Sequence, residues 1–346
     1  MGPLSPTVNT THEGLIDLAS ARLGGRALLA SDEFFAPKEN LLAPGRGVFI
    51  EGKYTDRGKW MDGWETRRRR GPEGGYDWCL IRLGVPGAIS AITVDTNHFR
   101  GNHPAACSLD AAMLTGSLGG RQLRALDRAF TEVLPRSPLA GHTENEFKVQ
   151  SGSRYTHVRL KIYPDGGVAR LRVWGEARPD WRRIGATRRA IDLVAVEHGG
   201  LPLSTSDQFF SEPLNLIMPG RPRDMGDGWE TRRRRGPGHD WVVLWLGRRG
   251  VIERVELDTT HFKGNFPESA SLEGCDVRGG APPRPPPGED AGWRELVPRA
   301  GLRANARHRL AVAQAARVPV THVRLNIFPD GGVARLRLWG KIVDGV

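Results

Sequence analysis

Short runs of alternating apolar and polar residues, separated by glycine-rich turns, dominate the chain. Asp77-Trp-Cys-Leu-Ile-Arg-Leu-Gly84 and Asp240-Trp-Val-Val-Leu-Trp-Leu-Gly247 are brief, apolar and bounded by glycine, as strands are. Ala88-Ile-Ser-Ala-Ile-Thr-Val-Asp95 and Val251-Ile-Glu-Arg-Val-Glu-Leu-Asp258 follow, each ending in a Thr/Asn/His loop. Later, Val158, Leu160 and Ile162 alternate with Arg159 and Lys161. After Pro164-Asp-Gly-Gly167, the residues Ala169, Leu171 and Val173 alternate with Arg170 and Arg172. That spacing predicts a hairpin with one buried and one polar face. Helical periodicity is hard to find over any long window. Short strands, glycine-rich turns and scarce helices predict an all-β protein made of β-sandwiches.

The pattern is written twice. Asp62-Gly-Trp-Glu-Thr-Arg-Arg-Arg-Arg-Gly-Pro72 returns as Asp227 to Pro237 with all eleven positions unchanged. Thr156 to Gly175 returns as Thr321 to Gly340, differing only at Lys161/Asn326, Tyr163/Phe328 and Val173/Leu338. A weaker match relates Asp17–Asp32 to Asp192–Asp207, including Ser31-Asp-Glu-Phe-Phe35 and Ser206-Asp-Gln-Phe-Phe210. The expected organisation is a polar leader (1–16), a first sandwich (17–175), a linker (176–190) and a second sandwich (191–346). Between Asp32 and Asp62 the first repeat carries ten residues more than the second, expected to form a surface loop. Ala281-Pro-Pro-Arg-Pro-Pro-Pro-Gly288 is expected to be an exposed loop.

Composition bounds the class. A chain of 346 residues suits two domains that each bury a core, and 39% hydrophobic with 26% charged residues is ordinary for a soluble globular protein. No apolar run approaches the ~20 residues of a membrane helix. The start, Met1-Gly-Pro-Leu-Ser-Pro6, lacks the features of a secretory signal. Cys79, Cys107 and Cys275 sit at unmatched positions without Cys-x-x-Cys spacing, so reduced, buried residues in the cytoplasm are expected. The net charge of +11 raises nucleic acid as a partner. The arginines are spread, however, and both arginine runs lie beside acidic and aromatic residues. No nucleic-acid partner is therefore expected; the excess fits a small anionic substrate.

The repeated Asp-Gly-Trp-Glu-Thr-Arg-Arg-Arg, together with Asp95-Thr-Asn-His-Phe-Arg-Gly-Asn102 and Pro-Asp-Gly-Gly-Val-Ala-Arg-Leu-Arg, resembles the allantoicase family. Asp258-Thr-Thr-His-Phe-Lys-Gly-Asn265 answers in the second repeat, and Phe34-Phe-Ala-Pro-x-Glu-Asn-Leu-Leu42 resembles the same family. The match runs in order through about residues 14–342. The resemblance implies two tandem jelly-roll β-sandwiches, galactose-binding-like, that hydrolyse allantoate to ureidoglycolate and urea in purine degradation. Allantoate is the implied small-molecule partner, with no nucleic acid and no membrane. A homo-oligomer is expected. No cofactor is predicted, with a divalent metal left open.

Losing urea from allantoate breaks an aminal-type C–N bond. The step needs an acid for the departing nitrogen and a base to activate water or drive elimination, but no acyl-enzyme nucleophile. In keeping, the chain has no Gly-x-Ser-x-Gly and no His-Glu-x-x-His. The expected catalytic residues are Glu65, His98, Glu230 and His261. The expected substrate-binding residues are Arg67, Asp95, Asn102, Arg232, Asp258 and Asn265. Arginine suits a planar carboxylate through its paired donors, and asparagine can meet both edges of a ureido group.

Plainer roles compete with these. Glu65 and Glu230 could serve only to pair neighbouring arginines. Alternation along an extended arginine run puts half of it on one face, so one or two of Arg67–Arg70 would meet substrate and the rest form ion pairs. His157 and His322 are expected to be structural, Trp64 and Trp229 packing anchors, and Asp165 and Asp330 products of turn geometry. Asp95 or Asp258 with one histidine per repeat falls short of a metal site. A tandem sandwich that binds a carbohydrate or anion without turnover is the alternative. The sequence leaves open whether one repeat, both, or their junction holds the working site.

Overall fold

The computed structural model describes residues 12, 14–70, 74–116, 127–185, 189–277 and 286–343. Most of the expected leader, the end of the first arginine motif (71 and 72), three linker residues (186–188) and residues 281–285 of the proline-rich loop lie outside these. The chain separates into two compact units, Leu15–Arg178 and one containing Pro179–Val346. Both are almost entirely β, and the single α-helix among the described residues is the five-residue Trp181–Gly185. It starts where Asp180 accepts a hydrogen bond from the Arg183 N–H at 3.1 Å.

Each unit is organised around one long strand. Asp77–Asp95 runs for 19 residues, as does Asp240–Asp258, where the sequence predicts two short strands in each place. At ~3.3 Å per residue a straight strand of that length would span roughly 60 Å, so it has to bend. The bend falls near Gly84–Gly87, where the register of its neighbours shifts. The first half pairs with Arg26–Ala30 and Tyr155–Tyr163, followed outward by Ala106–Ala112 and Thr131–Pro138. The second half pairs with Arg170–Ala177 and Glu144–Lys148, and Ile16–Asp17 lies beyond Arg170–Ala177. One strand thus contributes to both layers of the sandwich, and the second unit repeats the arrangement. Fully buried Ile81, Ile92, Leu109, Leu160, Ile162, Leu171 and Val173 belong to the first core. Burying each such side chain contributes about 1.5–3 kcal/mol.

The predicted hairpin is not one. Tyr155–Tyr163 and Arg170–Ala177 both pair with Asp77–Asp95, on different halves, and not with each other. The Pro164–Gly167 turn carries the chain between layers, and Gly167–Val168 pairs instead with Trp64–Glu65. Nor is Arg170 on a polar face. It is 3% exposed, and its guanidinium donates to Asp62 Oδ2 at 2.6 Å and to the Asp62 and Ala169 carbonyls. Arg335 does the same with Asp227, at 3.1 Å to Oδ2. The reason is local: both arginines open a strand opposite the buried Asp95 or Asp258, where only a paired charge is tolerated. The extra ten residues of the first repeat are mostly exposed and form only the small Tyr54–Thr55/Gly58–Lys59 ladder.

Removing one partner of a buried pair leaves a desolvated charge, which typically costs about 3–5 kcal/mol. Arg335→Met is therefore expected to destabilise the protein by about that amount in urea denaturation. A loss below about 1 kcal/mol would show that the Asp227 carboxylate does not depend on this fork.

Candidate active site

The site begins with a clash that glycine avoids. Trp64 and Trp229 are fully buried, as packing anchors should be, and their indole N–H groups donate to the Asp32 and Asp207 carbonyls at 2.8 and 2.9 Å. Beside them the Phe99 ring lies against Gly63 and Gly167; a Cβ on Gly167 would come within 1.9 Å of Phe99 Cε1. Phe262 stands in the same relation to Gly228 and Gly332. The absent side chains let the loop after Asp95 close onto the Trp64–Glu65 strand. Gly167, the strand partner of Glu65, donates its N–H to the Asn102 carbonyl at 2.8 Å. Asn102 Nδ2 then donates to Glu65 Oε1 at 2.7 Å, and Asn265 donates to Glu230 in the second repeat.

The same loop carries the rest of the predicted set. Asp95 is 3% exposed at the end of its strand, accepts from the Asn97 N–H at 2.8 Å and meets the half-exposed Arg46 at 3.4 Å. His98 has a left-handed backbone, φ 68°, and its ring lies between Phe49 and His142 at centroid distances of 5.6 and 5.4 Å. In the second repeat, Asp258 accepts from the Thr260 N–H at 2.8 Å. His261 has φ 73°, and its Nε2 is 3.2 Å from the Pro222 carbonyl. Asp95, His98 and Asn102 thus lie together at the end of the long strand, and Asn102 joins them to Glu65 on its separate strand; Asp258, His261 and Asn265 are joined to Glu230 likewise. Among the described residues no hydrogen bond joins His98 to Glu65 or His261 to Glu230.

Alternation does not bury half of the first arginine run, since Arg67 to Arg70 are all exposed, but several members of both runs are committed to aspartates. Arg67 donates its Nε to Asp32 at 2.7 Å, and its Nη2 lies 2.6 Å from the same carboxylate. Arg232 holds Asp207 in the same way, at 3.0 and 2.9 Å. Bidentate capture of a substrate by Arg67 or Arg232 would require releasing that aspartate. Arg69 pairs with Asp77 at 3.0 Å and Arg234 with Asp240. Arg68 is 76% exposed, with its Nε 3.8 Å from Asp165 Oδ1. Asp165 and Asp330 do more than make a turn, because each accepts the main-chain N–H of Arg69 or Arg234 at 2.8 Å. His157 is structural: Thr156 Oγ1 lies 2.9 Å from its Nδ1, and burial, then Arg82, push its pKa down to about 4.

Three residues at this end escaped sequence reasoning: Arg46, Arg100 and His142. A signal existed for two, since Pro44-Gly-Arg46 recurs as Pro219-Gly-Arg221 and Arg100 is answered by Lys263. His142 is answered by Asn305, a change of residue type that hides the correspondence. Among the described residues no three His, Cys, Asp or Glu side chains cluster as a metal ion would require.

Burial raises the Glu65 pKa above the ordinary glutamate range, and the Asn102 donor offsets this only in part. A raised carboxyl pKa keeps more of the acid protonated near neutrality, which suits a proton donor. A carboxyl-carbon NMR titration is expected to place Glu65 above about 4.3, and higher still in Asn102→Leu, where the donor to the carboxylate is gone. A Glu65 midpoint that falls in Asn102→Leu would contradict the hydrogen bond's assigned effect.

Known proteins fit this geometry. The allantoicase repeat model matches residues 16–178 and again 191–343. The chain is 46% identical to "Probable allantoicase 1" of Burkholderia mallei, covering 98% of each, and 47% identical to "Probable allantoicase" of Ralstonia nicotianae, covering 99% of each. The crystal structure of allantoicase from Saccharomyces cerevisiae superimposes with a TM-score of 0.78 at 36% identity, over 95% of this chain and 93% of that one. With both repeats matched and the relatives aligned end to end, the chain belongs to the allantoicase family.

Proposed function

We propose that the protein hydrolyses allantoate to ureidoglycolate and urea, acting on a non-peptide carbon–nitrogen bond in allantoin and purine degradation. Beyond family membership, the observation that carries this reading is the twice-built carboxyl–amide pair, Glu65 with Asn102 and Glu230 with Asn265, in which each asparagine sits on a loop that follows a buried aspartate and also carries a histidine. In this reading the half-buried glutamate protonates the departing nitrogen. The histidine, His98 or His261, removes the proton that water or the substrate gives up. Asn102 and Asn265 each keep an amide oxygen for a ureido N–H, with Asp95 and Asp258 beneath the loop that presents them. The carboxylate clamp of the first repeat is assigned to Arg46, whose side chain is 53% exposed and whose bonds to Asp95, at 3.4 Å, are longer than the 2.7 Å bond of Arg67 to Asp32 and so more readily exchanged for a substrate carboxylate.

The domain limits 17–175 and 191–346 are proposed for the two catalytic repeats, supported by the segments that the family model matches. No helix among the described residues is long and apolar enough to cross a membrane. A cytoplasmic setting is proposed on the three free, buried cysteines, and a homo-oligomer on the exposed Phe34–Phe35 and Phe209–Phe210 pairs, the latter 64% and 61% exposed.

Steady-state urea release from allantoate tests the reading. The wild-type chain is expected to turn over, and Glu65→Gln or Glu230→Gln to lower kcat by about 10²–10⁴-fold in whichever repeat works. Arg46→Lys should instead raise KM with kcat nearly kept, because lysine cannot form the paired hydrogen bonds. Allantoate binding without urea release would favour a ligand-binding protein of the same fold.

A further inference from the structure

The candidate histidines share a feature that their side chains do not explain. His98 and His261 both hold positive φ, 68° and 73°, a region uncommon for non-glycine residues. In each repeat the main-chain N–H of that histidine is taken by a side chain 44 residues onward. His98 N–H donates to His142 Nδ1 at 2.9 Å, and His261 N–H donates to Asn305 Oδ1 at 2.8 Å. The two acceptors look unrelated by residue type. Chemically they match, since each places an unprotonated acceptor at the δ position of a short side chain. Each also holds a left-handed backbone itself, φ 55° and 49°. The contact is returned: His142 N–H donates to the Phe99 carbonyl at 3.1 Å, and Asn305 N–H to the Phe262 carbonyl at 3.0 Å. A threonine closes the clasp in both repeats, with Thr96 Oγ1 accepting from Thr143 N–H and Thr259 Oγ1 from Ala306 N–H, each at 3.1 Å.

We propose that His142 and Asn305 are positioning residues, each accepting the main-chain N–H of the site histidine and thereby holding His98 or His261 in the conformation that presents its ring. The proposal rests on the allantoate-hydrolysing reading for its kinetic consequence. It also separates the repeats. A histidine accepts at Nδ1 only while that nitrogen is unprotonated, whereas asparagine accepts at any pH. The groups facing the His142 ring are Arg100, whose Nη2 is 3.4 Å from Nε2, together with His98, Arg46 and Asp95. Desolvation, then these three basic groups, outweigh Asp95 and hold His142 below the ordinary histidine range. The first clasp therefore stays closed at neutral pH and opens as acid protonates Nδ1; the second does not.

The test uses the intact chain, with amide hydrogen exchange of His98 and His261 measured beside steady-state urea release. Glycine at 142 or 305 removes the acceptor while tolerating the left-handed backbone, so His142→Gly should speed His98 exchange at least about tenfold, and Asn305→Gly should do so for His261. The kcat should fall about tenfold in at least one of the two variants. His142→Asn should restore slow exchange and most of the lost kcat, and should remove the acid-side opening of the first clasp. Unchanged exchange and kcat in both glycine variants would overturn the proposal. So would a failure of His142→Asn to recover what His142→Gly loses, because the imidazole itself would then be the active group. A wild-type chain that releases no urea defeats the functional reading, and the exchange rates alone then decide the clasp.

Discussion

The buried ion pair between Asp62 and Arg170, repeated as Asp227 and Arg335, is the contact on which the rest of each domain's working end depends. Side chains 4% and 15% exposed in the first repeat, and 4% and 3% in the second, carry opposite charges where desolvation is expensive. Such a pair adds little net stability over an apolar filling, but it permits few alternative arrangements. Arg170 opens a strand whose partner is Asp95, and Asp62 opens the motif that carries Trp64 and Glu65. Pairing them sets the carboxylate-bearing strand against the end of the long central strand. The site is assembled from there.

The next constraint is steric. With Phe99 or Phe262 filling the space over two glycines, the loop after the central strand lies flat on the Trp-Glu strand and delivers Asn102 or Asn265 to its glutamate. The opposite side of the same loop turns His98 or His261 toward a different wall. Here the repeats part company. Extra chain in the first repeat supplies Phe49 beside His98, and the Gly47 carbonyl accepts from Asn97 Nδ2 at 2.9 Å. The shorter second repeat offers the Pro222 carbonyl to His261 and Met225 to Asn265. One scaffold thus surrounds the same four residue types with different neighbours, so equal chemistry in the two halves does not follow from equal motifs.

Arginine has several duties in this chain, and the partner each one finds separates them. Arg170 and Arg335 are enclosed and structural; Arg67, Arg69, Arg232 and Arg234 tie the motif to aspartates; Arg46 and Arg100 stand partly free beside the histidine. All are identical as letters.

The sequence by itself determined the duplication, the all-β class, the burial of Trp64, Trp229 and the cysteines, and the loop that unites Asp95, His98 and Asn102. Those features are local: period-two alternation, glycine at turns and contiguous motifs record contacts between residues close along the chain. What the tertiary structure decided is pairing over long separations. Two strands that read as a hairpin became members of different layers, because the central strand bends and each half takes one of them. Arg170, polar by its alternation, was drawn inside by an aspartate 108 residues away, and Arg67 was taken by Asp32. His142 and Asn305 perform one task with two residue types, which no comparison of letters reveals. The physical reason is common to all four: a charge or donor is assigned its partner by geometry once the layers close, and alternation fixes only which way a side chain starts out.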